Sequence, residues 1–422
     1  MIRNGLVGIA VDVADLEACL QQAIPARWKA SLNVLPTGKA GWYRRLDYSD
    51  RVGFVASAQG ILALRATGSD LPELVNVAAT TCEGQRDDGA WPFLSNLSNV
   101  GVVDSTAWCL MALAQSRHRD ALAAADAASR WLKDSALPEG GWGICRGESF
   151  RCYSTAVAVR ALSRAGEGGC EEVSRAVRRL LSAADPATGA WQSQNATLSV
   201  PITSHVLIAL SESGRLDQSH EQVDLSANWL RAVSRTTSDW THGVYAGLLE
   251  EVEVKTSSEI RRIEYRHFSI AVAVEALSKI GCAGTPEVVS SVRRLLRTCH
   301  ASGMSADKGL EHGRGTSWQL HDITAALSSF RATLPRGTVS VWTRGNRVVI
   351  HQSQEGIARR MARRHSVDLI GILAGVLAFA VVFSVTPIKQ TAWLTVASAV
   401  CGPLLFGIAA NFIYDFLRNS RR

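Results

Sequence analysis

The sequence predicts an all-α fold: an α/α toroid of about six helical hairpins, followed by a small β-hairpin and two transmembrane helices. Three observations predict it. Tryptophans recur at Trp42, Trp91, Trp142, Trp191 and Trp240, spaced 49, 51, 49 and 49 residues apart, and a fixed period of this size marks a repeat array. Three of them close the same turn, Gly89-Ala90-Trp91, Gly140-Gly141-Trp142 and Gly189-Ala190-Trp191. The segments between them alternate between helices apolar on nearly every side and helices carrying a charged stripe. The first kind is buried and the second faces water on one side.

Taken in order, the first helix covers 12–31, with Leu16, Cys19, Leu20 and Ile24 on one side. The apolar helices are 52–67, 103–116, 152–165, 202–212, 268–280 and 320–330, and they form an inner ring. The striped helices are 71–83, 120–134, 171–183, 221–233 and 286–299, and they form an outer ring. Arg175, Arg178 and Arg179 show that stripe, as do Arg293, Arg294 and Arg297. Eleven residues before a turn tryptophan the outer helix supplies Trp131, Leu180 or Trp229, each followed by a leucine. Six such pairs close into a toroid over 1–335; the same hairpins in an open solenoid are the alternative. One repeat is irregular, with 28 positions between Trp240 and Phe268. Its insert, 243–264, is either a lid or partner-binding loop or a plain surface excursion.

After Pro335 the pattern changes. Val339-Ser340-Val341-Trp342 and Arg347-Val348-Val349-Ile350 flank a Gly-Asn turn and read as a β-hairpin, which with a basic linker occupies 336–365. Two uncharged runs follow, 369–386 and 392–414, each near the roughly 20 apolar residues that span a bilayer. They make 366–422 a two-helix membrane anchor. Arginines precede the first run and follow the second. The positive-inside tendency then puts both termini and the toroid in the cytoplasm of a bacterial inner membrane.

Charge narrows the function classes. Residues 335–422 hold 11 Lys or Arg against 3 Asp or Glu, whereas the remainder holds 34 against 35. The basic balance belongs to the tail, so the toroid does not read as a nucleic-acid binder. Nine cysteines without a CxxC pair fit free thiols in a reducing compartment. Met1-Ile2-Arg3-Asn4 opens no secretory signal.

The chemistry-bearing residues gather at the starts of the inner helices. Aligning those helices on their Ala-Leu endings puts Asp104-Ser105-Thr106-Ala107 level with Tyr153-Ser154-Thr155-Ala156, Phe268-Ser269-Ile270-Ala271 and Asp322-Ile323-Thr324-Ala325. His267 and His321 each lie one position earlier. Asp104 and Asp322 are the candidate catalytic carboxylates, and Trp108, Tyr153, His267, Phe268 and His321 the candidate lining of a central cavity. The other reading of both aspartates is helix N-capping. A lone carboxyl in an apolar site has its pKa raised, which makes it a weaker acid.

Gly89-Ala90-Trp91-Pro92-Phe93 and Val103-Asp104-Ser105-Thr106-Ala107 resemble the terpenoid cyclase and protein prenyltransferase superfamily, and the turn tryptophans resemble the repeats of squalene-hopene-type cyclases. The resemblance covers roughly 12–334 and implies the same toroid. In those cyclases an Asp-x-Asp-Asp-Thr-Ala motif protonates a polyprenyl double bond through its middle Asp. Here Val102-Val103-Asp104-Ser105-Thr106-Ala107 keeps that middle carboxylate and lacks its neighbours. The prenyltransferases hold zinc through Asp, Cys and His; Asp104 matches their Asp, but Thr106 stands where the Cys belongs, so no metal or other cofactor is expected. The resemblance implies a toroid that binds a hydrophobic, isoprenoid-like small molecule or a protein partner, divergent or non-catalytic. An active isoprenoid cyclase with Asp104 as its acid is one alternative. The other is a stress or phage-defence sensor with a transmembrane effector hairpin.

Overall fold

The computed structural model describes residues 11–44, 46, 52–92, 100–193, 196–217, 220–236, 249–255, 260–266, 269–300, 316–334, 340–343 and 348–351. The chain divides into two compact units, Met1–His351 and Gln352–Arg422; the second lies outside the described residues.

The first outer helix is built of α1 (Val13–Ala18), a π-helical turn (Cys19–Ala23) and α2 (Ile24–Ala30). The short strands β1 (Asn33–Val34) and β2 (Ala40–Gly41) follow. Inner helices are α3 (Phe54–Ala66), α5 (Val103–Leu113), α7 (Cys152–Arg164), α9 (Val200–Glu212), α11 (Ser269–Lys279) and α13 (Ser317–Thr333). Outer helices are α4 (Leu74–Glu83), α6 (Arg119–Asp134), α8 (Glu171–Ser182), α10 (His220–Thr236) and α12 (Pro286–His300). Each inner helix packs on the next, and α13 packs back on α3, so the inner ring closes. The seam is polar. Ser317 donates its N–H to the Arg44 carbonyl (2.9 Å) and its hydroxyl to Gln59 Oε1 (3.0 Å), and Arg331 pairs with Glu17. On the outside α12 packs against the π-helical turn.

A repeated staple holds each hairpin. The indole N–H of Trp42, Trp91, Trp142 and Trp191 donates to the outer-helix carbonyls of Trp28, Thr81, Leu132 and Leu180 at 2.7–2.8 Å. The backbone N–H of the same four residues donates to Ser57, Thr106, Thr155 and Thr203, each the fourth residue of its inner helix, at 2.9–3.1 Å. All four tryptophans are fully buried. Burying about 200 Å² of indole at ~25 cal/mol/Å² gives an upper bound near 5 kcal/mol apiece, and the staple satisfies the indole's one polar atom. The turn glycines are fixed by the same packing. Gly89 and Gly140 sit at φ +93 and +99, and a Cβ on either would come within 2.7 Å of a backbone oxygen of the next outer helix, Ala127 or Arg175. Trp240 lies outside the described residues.

The insert after α10, expected as a lid or partner-binding loop or a surface excursion, contains a β-hairpin: β3 (Leu249–Lys255) pairs antiparallel with β4 (Ile260–Arg266), Val252 opposite Ile263. The hairpin expected after Pro335 forms from β5 (Ser340–Thr343) and β6 (Val348–His351), Trp342 opposite Val349.

The expected fold class is corrected in one respect. Among the described residues no helix is long and apolar enough to cross a membrane, so two transmembrane helices are not part of the described architecture. The runs on which they were read, 369–386 and 392–414, lie outside the described residues. What the structure describes is a mostly helical chain arranged as an α/α toroid.

Candidate functional site

The two ends of the inner ring are built differently. Connections from inner to outer helices, such as 114–118 and 165–170, are five to seven residues long, whereas those entering the inner helices, such as 84–102, 237–268 and 301–316, run to 16 or more. Long connections concentrate binding and catalysis, which directs attention to the N-terminal rim of the inner helices.

Asp104 stands at that rim as the second residue of α5, whose N-cap is Val102. The N-capping alternative therefore fails for Asp104. Its Oδ1 is sealed from solvent and has no hydrogen-bond partner. Burial pushes the carboxyl up to about 6, against the opposing pull of the Ser154 hydroxyl and the Arg151 guanidinium. The Ser154 hydroxyl acts on it from nearby without closing a bond of normal geometry. Backbone pairing brings these residues together: Val103 N–H donates to the Ile144 carbonyl (2.8 Å) and Val102 bridges Cys145, tying the start of α5 to the turn that leads into α7.

One turn deeper lies a layer of aromatic and polar side chains from several inner helices. Gln59, Trp108, His205 and Asp322 are each the sixth residue of their helix. Asp322 is thus about a turn below Asp104 and not level with it, because α13 starts at Ser317, three residues before the expected 320. It is no N-cap either; Thr316 fills that role. Asp322 Oδ1 lies 3.0 Å from His321 Nδ1, and both residues are buried. The His321 ring meets Trp108 edge to face at 4.9 Å, and Trp318 approaches the same indole at 5.8 Å. Tyr153 packs edge to face on His205 at 5.0 Å. The structure therefore brings Trp108, His321 and Asp322 together, with Tyr153 beside His205. His267 and Phe268 lie outside the described residues.

The sequence reading missed the group that joins these clusters. Arg160, only 1% exposed, lies over the Trp108 ring at 5.9 Å, with Nη1 3.4 Å from His205 Nδ1. Its Nε is 3.3 Å from Glu212 and its Nη2 3.3 Å from Glu275. Toward the other end of the ring Glu212 also takes Arg164 (2.6 Å) and Lys279 (3.0 Å). Burial alone would push Glu212 up; the Arg160, Arg164 and Lys279 charges outweigh it and hold the carboxyl well below the usual range. Burial works against the Arg160 charge, and the two glutamates restore it. The signal is in the sequence: a charge in the middle of a helix apolar nearly all round must be paired inward. Among the described residues no three His, Cys, Asp or Glu side chains are grouped to hold a metal ion.

No known sequence family and no curated protein matches the chain. Solved structures match in fold. A family 76 glycoside hydrolase from a bovine Bacteroides thetaiotaomicron strain aligns with a TM-score of 0.51 at 10% identity, over 74% of this chain and 77% of that one. Cellobiose 2-epimerase from Spirochaeta thermophila aligns with a TM-score of 0.51 at 15% identity, over 75% and 95%. A type II terpene cyclase from Scytonema aligns over 76% and 98% at 14% identity, with a TM-score of 0.43. At these identities the first two establish a shared α/α-toroid fold and nothing of the reaction.

Proposed function

We propose that this toroid receives a compact, oxygen-bearing organic ligand at the N-terminal rim of its inner helices, and that Asp104 exchanges a proton with it. The observation that carries the reading is the unmatched oxygen of Asp104 on a carboxyl poised near 6. A group with that pKa gives and takes protons efficiently near neutral pH. It is too weak an acid to suit protonation of an isolated alkene.

The chemistry of the rim and of the layer beneath it also bears on the ligand. Trp108 Nε1, Ser105 Oγ and Ser154 Oγ are buried without hydrogen-bond partners among the described residues, as is Asp104 Oδ1. A hydrocarbon chain would leave each of them unmatched at about 1–3 kcal/mol. Deeper in the ring the Arg160 cluster occupies ground that a long isoprenoid would need. Both points favour a small polar ligand over the hydrophobic one that the resemblance implies. The aromatic edges of Trp108 and Trp318 supply its apolar contact.

The test is to purify the full chain as wild type and as Asp104→Asn, extract what each holds and identify it by mass spectrometry. The ligand from the Asn variant, returned to wild type, should be converted to a second species. Recovery of a polyprenyl hydrocarbon, or no conversion by wild type, would remove the reading.

A further inference from the structure

The start of α7 carries an unused basic group beside Asp104. Arg151 is the N-cap residue of α7, and no side chain caps that helix. Its Nε and Nη1 are buried and unpaired among the described residues. Ser154, in the first turn of the same helix and 1% exposed, also has an unpartnered hydroxyl. Three sets of donors thus converge: a guanidinium, a hydroxyl and the positive end of a 13-residue helix. Buried donors of this kind are rarely left unmatched in a native fold. The Arg151 charge acts on the Asp104 carboxyl, but among the described residues the two do not form an ion pair within 4 Å.

We infer that Arg151, Ser154 and the N-terminus of α7 form a subsite for an oxyanion group, a carboxylate or a phosphoryl, on the ligand handled by Asp104. This rests on the proposed ligand site and adds the charge of one end of its occupant. A planar guanidinium takes either oxyanion through paired N–H donors, and an uncapped helix start suits the same charge. The opposite end of the ligand then meets Trp108 and Trp318.

Titration calorimetry of the full chain with sodium sulfate and, separately, with sodium acetate tests the subsite without any turnover. Sulfate keeps its charge across the working pH range, so proton uptake by the probe does not confuse the result. Binding of sulfate alone identifies a tetrahedral oxyanion site, and binding of acetate alone a carboxylate site. Arg151→Gln should weaken the binding at least tenfold, with Arg151→Lys intermediate. Asp104→Asn should tighten it several-fold at pH 7.5, because a negative neighbour is removed. Arg178→Gln, on the exposed face of α8, should change nothing. If neither anion binds, or if Arg151→Gln binds as wild type does in a chain with an unchanged melting curve, the subsite is overturned. Arg151-dependent sulfate binding in a chain that converts no ligand would leave the subsite standing and remove the proton-transfer reading alone.

Discussion

The two ends of the inner ring both hold charge out of solvent and treat it in opposite ways. Toward the C-terminal end, Glu212 is met by Arg160, Arg164 and Lys279, and Arg160 is shared with Glu275. At the N-terminal rim, Asp104 Oδ1, Arg151 Nε and Nη1 and Ser154 Oγ are sealed and left unmatched. The connections follow the same division, short at the matched end and long at the unmatched one. Charge that is fully answered by neighbours holds helices together; charge that is buried and unanswered is a place for something else to bind. On this comparison α7 is locked toward one end, through Arg160 and Arg164, and equipped at the other, through Arg151 and Ser154.

The largest expected effect breaks the matched end. Glu212→Ala leaves Arg160, Arg164 and Lys279 without their common partner, and an uncompensated buried charge costs about 3–5 kcal/mol. Because the folded carboxyl lies below its unfolded value, its contribution is present above the ordinary glutamate range and is lost as pH falls through the folded pKa. Urea unfolding should show the full difference at pH 7 and a shrinking one under acid conditions. Equal stability of variant and wild type at pH 7 would mean the cluster holds nothing.

A smaller effect, of opposite sign, sharpens the unmatched end. The folded pKa of Asp104 lies above the usual 3.8, at about 6. Its contribution is therefore fully present below pH 3.8 and lost as pH rises through 6; above that, the ionised carboxylate strains the fold. Asp104→Asn keeps the shape and removes that charge. It should raise stability by up to about 2–3 kcal/mol at pH 8, taking 1.36 kcal/mol per pKa unit, and change little at pH 4. Thermal melts at both pH values check the sign; destabilisation at pH 8 would show that the carboxylate is matched after all.

The same division explains what could be read from the sequence. The ring was legible because three successive repeats solve one packing problem with one set of residues. A glycine approaches the next outer helix, a tryptophan fills the junction, and the period announces both. The interior layer has no such period. Gln59, Trp108, His205 and Asp322 occupy equivalent positions and are four different residues. Asp104, Tyr153, His321 and Asp322 are legible from the alignment of the inner-helix starts, and the motif resemblance adds to Asp104 alone. Counted back from the Ala-Leu endings, Asp104 stands eight residues before Ala112 but Asp322 only four before Ala326, so the level given to Asp322 is a turn too high. The hydroxyl at the fourth position, Ser57, Thr106, Thr155 and Thr203, is a second ruler for α3, α5, α7 and α9, because the staple fixes it against the tryptophan; α13 carries Leu320 there. Arg160, His205 and Glu275 were passed over as members of apolar helices, although a buried charge there is itself the signal. The hairpin of β3 and β4 was also legible in part, since Val252 and Val254 alternate with charge as strand residues do.

The smallest effect concerns that hydroxyl. Thr155 accepts the backbone N–H of Trp142 at 2.9 Å and lies 3.2 Å from the Trp142 carbonyl, to which its hydroxyl donates. Thr155→Val keeps the volume and removes both bonds, leaving a buried N–H unmatched. The expected loss is about 1–2 kcal/mol, well below that of emptying the tryptophan site, since the indole and its bond to the Leu132 carbonyl remain. The Thr155 hydroxyl is engaged by Trp142 on both sides, so sulfate affinity should stay within twofold of wild type. A Thr155→Val chain that keeps its stability but loses the anion would place the hydroxyl in the site and out of the staple.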